Sequence, residues 1–494
     1  MPEPATSRSR RRSSSRLSRA RVWLRAGWQA ARWSQAVPGG AGERSVAGTT
    51  SGNPLDADDD TSPAPAWSRG NCVELLPLGE ALFPALERAW SGAQTSIWLE
   101  TYIFHDDPTG LELAECLIRA ARRGVQVRVM VDGLGSHRSI AELDRRFAAA
   151  GVEFMVYRPW RAWVDLLQRG HWRRLHRKMC VVDARVAFVG GINLIDDCFD
   201  IHHGWSPHPR LDYAVRVHGP VVLQVLRSMR RLWLRTVATG SVQRRLRHAP
   251  GPRVLGSGSR EQRRRYLDEL RAAGVLPAPR ARRAGTRAAA APAAAAQHFA
   301  EAQATQRAAL VLRDNLLRRR AIEHCYIQAI DAARESILLV CPYFYPGKAF
   351  RQSLKAAALR GVRVSLLLQG RADYRAAAWA AQALYRELLD AGVDIHEYQR
   401  AFLHGKVAVV DGVWATVGSS NIDPLSLLVN REANVVVHDA AFAATLTRHV
   451  ESQMHWALPI DRVRLRARVA WWTRPLVGVV ARLFIALAGG TRRY

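Results

Sequence analysis

The chain has 494 residues, 48% of them apolar, and a formal net charge of +29. That length suits roughly two to four ordinary domains with full cores, and the absence of a long apolar h-region argues against a secretory signal. Its six cysteines form no CxxC pair and keep no regular spacing, which argues against a disulfide framework or a zinc site and reads as buried thiols of a reducing compartment.

In chain order, residues 1–66 are Arg/Ser-rich and then Gly/Ser/Asp/Pro-rich, a composition expected to stay largely disordered. Within them LSRARVWLRAGWQAARW (17–33) carries the pattern of a basic amphipathic helix. Residues 67–240 read as a first α/β domain, with strands at 96–104, 124–133 and 149–158 and helices at 80–92, 110–123 and 138–150. Residues 241–306 run through RRR, PAPRARR and AAAAPAAAA, a low-complexity linker with a helical pattern at 260–273. Residues 307–456 repeat the first domain: strands at 336–344, 361–370 and 390–400, helices at 321–334, 347–360 and 376–391. Residues 457–494 are basic, then aromatic, then apolar. The run from Pro475 to Gly489 is 15 residues long, short of the ~18–20 that a spanning helix needs, and reads as an in-plane or re-entrant membrane anchor. The expected architecture is one α/β unit written twice, mixed sheets flanked by helices, the two units related by a pseudo-twofold axis.

Charge follows the same divisions. Residues 1–50 carry +8, residues 241–320 carry +13 and residues 457–494 carry +7, which leaves +1 for everything else. A nearly neutral body with basic tails and linker suits an anionic surface, nucleic acid or acidic lipid, although a general bias toward Arg gives the same totals. Only four of the 72 basic residues are Lys, and two of them are Lys178 and Lys406. A compact ammonium is evidently wanted there in place of a planar fork.

Those two lysines belong to a doubled motif. LHRKMCVVDARVAFVGGIN (175–193) and LHGKVAVVDGVWATVGSSN (403–421) match at His176/His404, Lys178/Lys406, Asp183/Asp411, Gly190/Gly418 and Asn193/Asn421. One H-x-K is weak evidence of anything; two copies with five identities at fixed offsets are not. From the Gly of the preceding AGV to the motif His is 25 residues in the first half (Gly151 to His176) and 12 in the second (Gly392 to His404). The extra residues fall in RPWRAWVDLLQRGHWRR (158–174), whose Trp and Arg suit either a membrane interface or a solvated loop with packed aromatics.

If the two copies meet, their pocket holds two ammoniums, two amides and two imidazoles. That set stabilises the extra negative charge of a phosphodiester under attack. Imidazole serves both as nucleophile and as acid near neutral pH, so one ring can attack phosphorus while the other protonates the leaving alcohol and later deprotonates the acceptor. A nucleophilic ring must be neutral and oriented. Asp212 and Glu432, at matching places 36 residues after His176 and 28 after His404, are assigned to orient the rings. Asp183 and Asp411 are expected to fix the motif strand and its turn instead of touching substrate. No HExxH, DxD or His/Cys cluster calls for a metal, and no cofactor is expected.

HxK(x)4D(x)6G[GS]xN, twice in one chain, resembles the phospholipase D superfamily. The surrounding WLETYIFHDD, HRKMCVVDARVAFVGGIN and LHGKVAVVDGVWATVGSSNIDPLSLLVNREANVVVHD are similar to bacterial cardiolipin synthases of the B type, the shorter form. The resemblance covers roughly 70–456 and implies two phospholipase D-like α/β/α repeats. It also implies a transphosphatidylation in which one phosphatidylglycerol donates its phosphatidyl group to a His, glycerol leaves, and a second phosphatidylglycerol accepts the group. By the same resemblance His176 is the nucleophile and His404 the acid/base, with His176, Lys178, Asp183, His404, Lys406 and Asp411 as the catalytic motif and Asn193, Asn421 and Ser419 as phosphate-side support. The implied partners are phosphatidylglycerol and anionic membrane lipid, at the cytoplasmic face of the bacterial inner membrane and held peripherally. Gly191 departs from the pattern, because Ser is common there; the first phosphate site then lacks a hydroxyl that Ser419 supplies in the second. Rival readings are a nuclease or other phosphodiester hydrolase of the same superfamily, and a non-catalytic membrane scaffold. Trp-interleaved basic segments and the apolar tail argue against nucleic acid, and two intact motifs argue against a scaffold.

Overall fold

The computed structural model describes residues 64–160, 173–201, 204–246, 305–314, 318–370, 384–423, 426 and 430–468. The amphipathic pattern at 17–33, the helical pattern at 260–273, most of the Trp/Arg insert (161–172) and the end of the tail (469–494) lie outside the described residues.

The first half runs β1 (Ser68–Pro77), α1 (Leu78–Ser91), β2 (Ser96–Thr101), α2 (Pro108–Arg122), β3 (Gln126–Asp132), α3 (Ile140–Ala150), β4 (Glu153–Tyr157), β5 (Lys178–Val182), β6 (Val186–Gly190), β7 (Phe199–Asp200), β8 (Gly204–Trp205), β9 (Tyr213–His218) and α4 (Val221–Leu246). The second runs β10 (Gln306–Arg313), α5 (Ala321–Ala332), β11 (Ser336–Cys341), α6 (Lys348–Leu359), β12 (Arg363–Gln369), β13 (Asp394–Tyr398), β14 (Val407–Val410), β15 (Trp414–Gly418), β16 (Glu432–His438), α7 (Ala440–Met454), β17 (Ala457–Ile460) and α8 (Arg462–Arg468).

Local chemistry explains several of these boundaries. The Asp107 carboxylate caps α2 by accepting from the Gly110 amide at 2.7 Å, with Pro108 just inside the helix. Asp439 caps α7 in the same way through the Phe442 amide. α3 ends on Gly151 in the left-handed region, where a residue without Cβ is favoured. β2, β3 and β4 pair in parallel, and β2 and β3 are buried along nearly their whole length because both of their faces are covered.

Strand order is β1-β9-β6-β5-β2-β3-β4 in one half and β10-β16-β15-β14-β11-β12-β13 in the other, with β17 added at the far edge. The halves join by antiparallel pairing of β1 with β10, Ser68 opposite Ala308 and Asn71 opposite Gln306. Because β1 and β10 are equivalent strands, that pairing places the pseudo-twofold axis between them.

Each half packs one sheet face under its own helices. Leu82, Trp90, Leu117 and Phe147 fill the first outer core, and Ile322, Tyr326, Phe350 and Leu354 the second. The opposite faces share a third core with α4 and α7, in which Met179, Val215 and Met229 meet Val407, Val435 and Leu446. This shared core holds the two motif strands in fixed relation.

The expected boundary at 240/241 falls inside a helix, and the one at 456/457 falls at the start of a strand. α4 runs to Leu246, and the segment from 457 opens with β17, whose Ile460 pairs with Ile395 of β13. Cys116, Cys180, Cys325 and Cys341 are buried free thiols, while Cys72 and Cys198 are half-buried. Among the described residues no helix is long and apolar enough to cross a membrane.

Candidate active site

The two motifs meet through backbone pairing at the strand ends. Leu175 forms a parallel bridge with Arg431, and Leu403 forms one with Leu211. The His176 amide donates to the Arg431 carbonyl (3.1 Å), and the His404 amide to the Leu211 carbonyl (2.8 Å). Each motif His is thereby set beside the residue that follows its partner: Glu432 for His176, Asp212 for His404.

The carboxylates are exchanged between halves. His176 Nδ1 lies 3.0 and 3.1 Å from the two oxygens of Glu432, which belongs to the second half. His404 Nδ1 lies 2.6 Å from Asp212 Oδ2, which belongs to the first. With Nδ1–H donated to a carboxylate, the basic lone pair of each ring is left on Nε2. Neither half holds a complete ring–carboxylate pair of its own.

Both lysines are buried, and each folds back on its own motif. Lys178 Nζ donates to the His176 carbonyl at 2.8 Å, and Lys406 Nζ donates to the His404 carbonyl. Burial and the neighbouring Lys406 ammonium push Lys178 down to about 7, and burial also lowers Lys406. Such mutual repulsion is relieved when an anion binds between them.

Burial lowers His176, an effect that Glu432 opposes and the lysines reinforce. Burial holds His404 well below the usual histidine range, helped by Lys406, Lys178, Arg210 and His176. Burial thus favours the neutral form of each ring, the form in which a nucleophile or a base acts.

The carboxylates diverge. Burial raises Asp212 to about 6. It pushes Glu432 up as well, but His176, Lys178 and the Ser419 hydroxyl outweigh it and leave Glu432 below its ordinary value. A 2.6 Å contact alone would spread the His404 and Asp212 proton affinities apart; burial on both sides draws each toward its neutral form instead.

The other expected site residues divide into near and far. Asn193 and Asn421 are buried beside the motifs. Asn193 Oδ1 accepts from the Ile103 amide at 3.2 Å, which leaves its amino group to donate, and Asn421 Oδ1 has no partner among the described residues. Ser419 does not offer its hydroxyl to a phosphate, because that hydroxyl donates to Glu432 Oε2 at 2.6 Å and accepts from the Ala433 amide at 3.0 Å. Gly191 is likewise no missing phosphate donor, since a Cβ there would stand 2.3 Å from Asp212 Oδ1. Asp183 and Asp411 lie at the far ends of β5 and β14. Asp183 accepts from the amides of Gln94, Thr95 and Ser96, and Asp411 from those of Arg334, Glu335 and Ser336. They fasten the motif strand to the helix–strand corner and do not reach the rings.

Three further groups belong to the site. The Tyr102 ring lies 4.8 Å from the His176 ring and 5.4 Å from Lys178 Nζ. Asp132 accepts from the Leu175 amide (2.9 Å) and from Arg174 (2.6 Å), while its equivalent Gln369 accepts from the Leu403 amide (3.0 Å). Arg210 stands two residues before Asp212. The repeat hides all three: Tyr102 aligns with Pro342, Asp132 with Gln369 and Arg210 with Asn430.

Comparison with known proteins agrees with this geometry. A family profile described as "Cardiolipin synthase, PLD-like domain" matches residues 86–233 and 326–454, so that each half carries one match. Cardiolipin synthase B of Escherichia coli (strain K12) is 37% identical over 412 residues, spanning 82% of this chain and 86% of that protein. Cardiolipin synthase A of Pseudomonas entomophila (strain L48) is 30% identical over 79% of this chain and 70% of its own length. In fold, the chain is similar to the crystal structure of phosphatidylserine synthase from Haemophilus influenzae Rd KW20, at a TM-score of 0.54 and 11% identity over 83% of this chain and 93% of that one. With one such domain in each half, and with both motifs assembled at the junction, the chain belongs to the cardiolipin synthase family of phospholipase D-like phosphatidyltransferases.

Proposed function

We propose that this protein makes cardiolipin from two molecules of phosphatidylglycerol through a covalent phosphatidyl-histidine. His176 Nε2 attacks the phosphorus of the first lipid and the bond to the glycerol headgroup breaks, while His404, entering this step with an extra proton on Nε2 and held through Nδ1–H by Asp212, gives that proton to the departing oxygen. A hydroxyl of the second lipid then loses its proton to His404 and attacks the same phosphorus. The P–N bond breaks, and cardiolipin leaves with His176 free again.

The observation that carries this reading is the exchanged pairing of each ring with a carboxylate of the other half. The contrast between the pairs supports the division of labour. Ionised Glu432 keeps His176 oriented and electron-rich, as suits a nucleophile. Asp212, ionised above about 6, supports the imidazolium that exists while His404 carries the transferred proton. Lys178 and Lys406, with the amides of Asn193 and Asn421, stabilise the charge that builds on the phosphoryl oxygens; single donors of this kind are worth roughly 3–4 kcal/mol in other sites.

The basic and apolar segments outside the described residues, 469–494 above all, hold the enzyme peripherally on anionic lipid at the cytoplasmic face of the cell membrane. The test of function is to supply purified full-length protein with phosphatidylglycerol alone and identify products by mass spectrometry. Cardiolipin and glycerol in equal amounts are expected; phosphatidic acid as the sole product would mean a hydrolase. Attachment is tested by deleting 469–494, which spares β17 and α8. An unchanged share of enzyme in the membrane pellet would refute the anchor.

A further inference from the structure

We propose that Arg210 binds the phosphate of the acceptor lipid, the diester that is not cut, and so selects an anionic lipid over water or a neutral alcohol. This rests on the order of events proposed above, with His176 as nucleophile and His404 as acid/base. In-line displacement brings the incoming oxygen to phosphorus from the face opposite His176, which is the His404 side. An acceptor that is itself a phosphodiester carries a second anion only a glycerol's length from the reacting phosphorus. Both lysines serve the first phosphate, so the second needs its own cation, on the His404 side.

Arg210 is placed there by backbone geometry. Leu211 is paired with Leu403, and in this extended segment Arg210 and Asp212 fall on the same side. Asp212 reaches His404 at 2.6 Å, so Arg210 leaves the backbone on the face whose carboxylate holds that ring. The guanidinium acts electrostatically on His404, Lys406 and Asp212 alike.

A segment longer than its counterpart in the second half holds it. Asn193 and Asp212 are 19 positions apart, whereas Asn421 and Glu432 are 11 apart, so the first half has 8 extra residues. These include the β7–β8 hairpin. The Arg210 amide donates to the Asp197 carbonyl at 2.8 Å, and Nη2 donates to the Phe199 carbonyl at 2.7 Å, with Asp200 3.4 Å away. Among the described residues Nε and Nη1 have no recorded partner, which leaves two donors of the fork for a phosphate. At the twofold-equivalent position, on the His176 side, stands Asn430. At this position one side of the site carries a cation that its twofold equivalent lacks.

The experiment gives purified full-length enzyme phosphatidylglycerol in detergent micelles with added ethanol, and quantifies cardiolipin, phosphatidylethanol and phosphatidic acid together. Arg210→Gln is expected to lower cardiolipin at least about tenfold relative to the sum of the other two, through a raised KM for phosphatidylglycerol as acceptor. Arg210→Lys, which keeps the charge, should recover part of that ratio. Equal loss of all three products in Arg210→Gln, or an unchanged ratio in both variants, would overturn the assignment. A wild-type enzyme that forms phosphatidylethanol but never cardiolipin would overturn the proposed reaction, and this assignment with it.

Discussion

The first half pairs Gly191 with Asp212; the second pairs Ser419 with Glu432, at equivalent positions. The choices are coupled. A short Asp keeps its carboxylate close to the backbone, where it accepts from the Tyr213 amide at 2.8 Å and occupies the space of any side chain at 191. A longer Glu carries its carboxylate one carbon further and leaves room for the Ser419 hydroxyl, which binds it. The added hydrogen bond helps keep Glu432 ionised, whereas buried Asp212 rises to about 6. One atomic-scale exchange therefore gives two rings of the same motif different proton chemistry.

Replacing the rings breaks this comparison most severely. His176→Ala and His404→Ala are each expected to lower cardiolipin formation by on the order of 10⁵-fold. They should part company on a phosphatidyl donor with a good leaving group, such as p-nitrophenol. His404→Ala should then accumulate the covalent enzyme, visible as added mass on the intact protein, and His176→Ala should not; the reverse pattern would exchange the two roles.

Next come the carboxylates. Glu432→Gln and Asp212→Asn should lower kcat by about 10²–10⁴-fold with little change in KM, as loss of ring orientation does in other sites. Steady-state kinetics checks this, and a loss confined to KM would contradict an orienting role.

The pH profile is a gentler probe. Asp212 must be ionised to accept from His404, so kcat/KM should fall about tenfold per unit below pH ~6. Lys178 sits below the ordinary lysine value and is charged only below about 7, so kcat/KM should also fall on the alkaline side as that charge is lost. Asp212→Asn should remove the acid limb and leave the alkaline one.

The smallest effects concern stability. Ser419→Ala removes the hydroxyl from Glu432 and from the Ala433 amide, at a cost of about 1–3 kcal/mol in thermal or denaturant unfolding. Gly191→Ser should cost a similar ~1–3 kcal/mol by crowding Asp212. The double change Gly191→Ser with Asp212→Glu should recover much of that loss, because it rebuilds the arrangement of the other half.

Much of this site is legible in the sequence, because repetition converts weak local signals into matched ones. His176, Lys178 and Asp212 each have a counterpart at a fixed place in the second half, and alternating apolar and helical periods outline the sheet and its cover. What stays hidden is tertiary. Nothing in the order of residues says that Glu432 serves His176 and Asp212 serves His404, since each carboxylate follows the other ring in the chain. Ser419 reads as a phosphate ligand until its hydroxyl is seen on Glu432. Tyr102 and Arg210 escape notice because the repeat gives them unlike counterparts. β17 is four residues of an edge strand at the head of a basic segment, too short for any period to show.

The traded carboxylates also make the enzyme an AND gate. Prising the halves apart by a few ångströms disarms nucleophile and proton carrier in the same instant, so no partly competent form persists to leak reactive intermediate to water. A lone repeat would possess the components of two circuits and close neither, except by docking with its own copy. Joining both copies in one polypeptide fixes their stoichiometry and frees each to specialise.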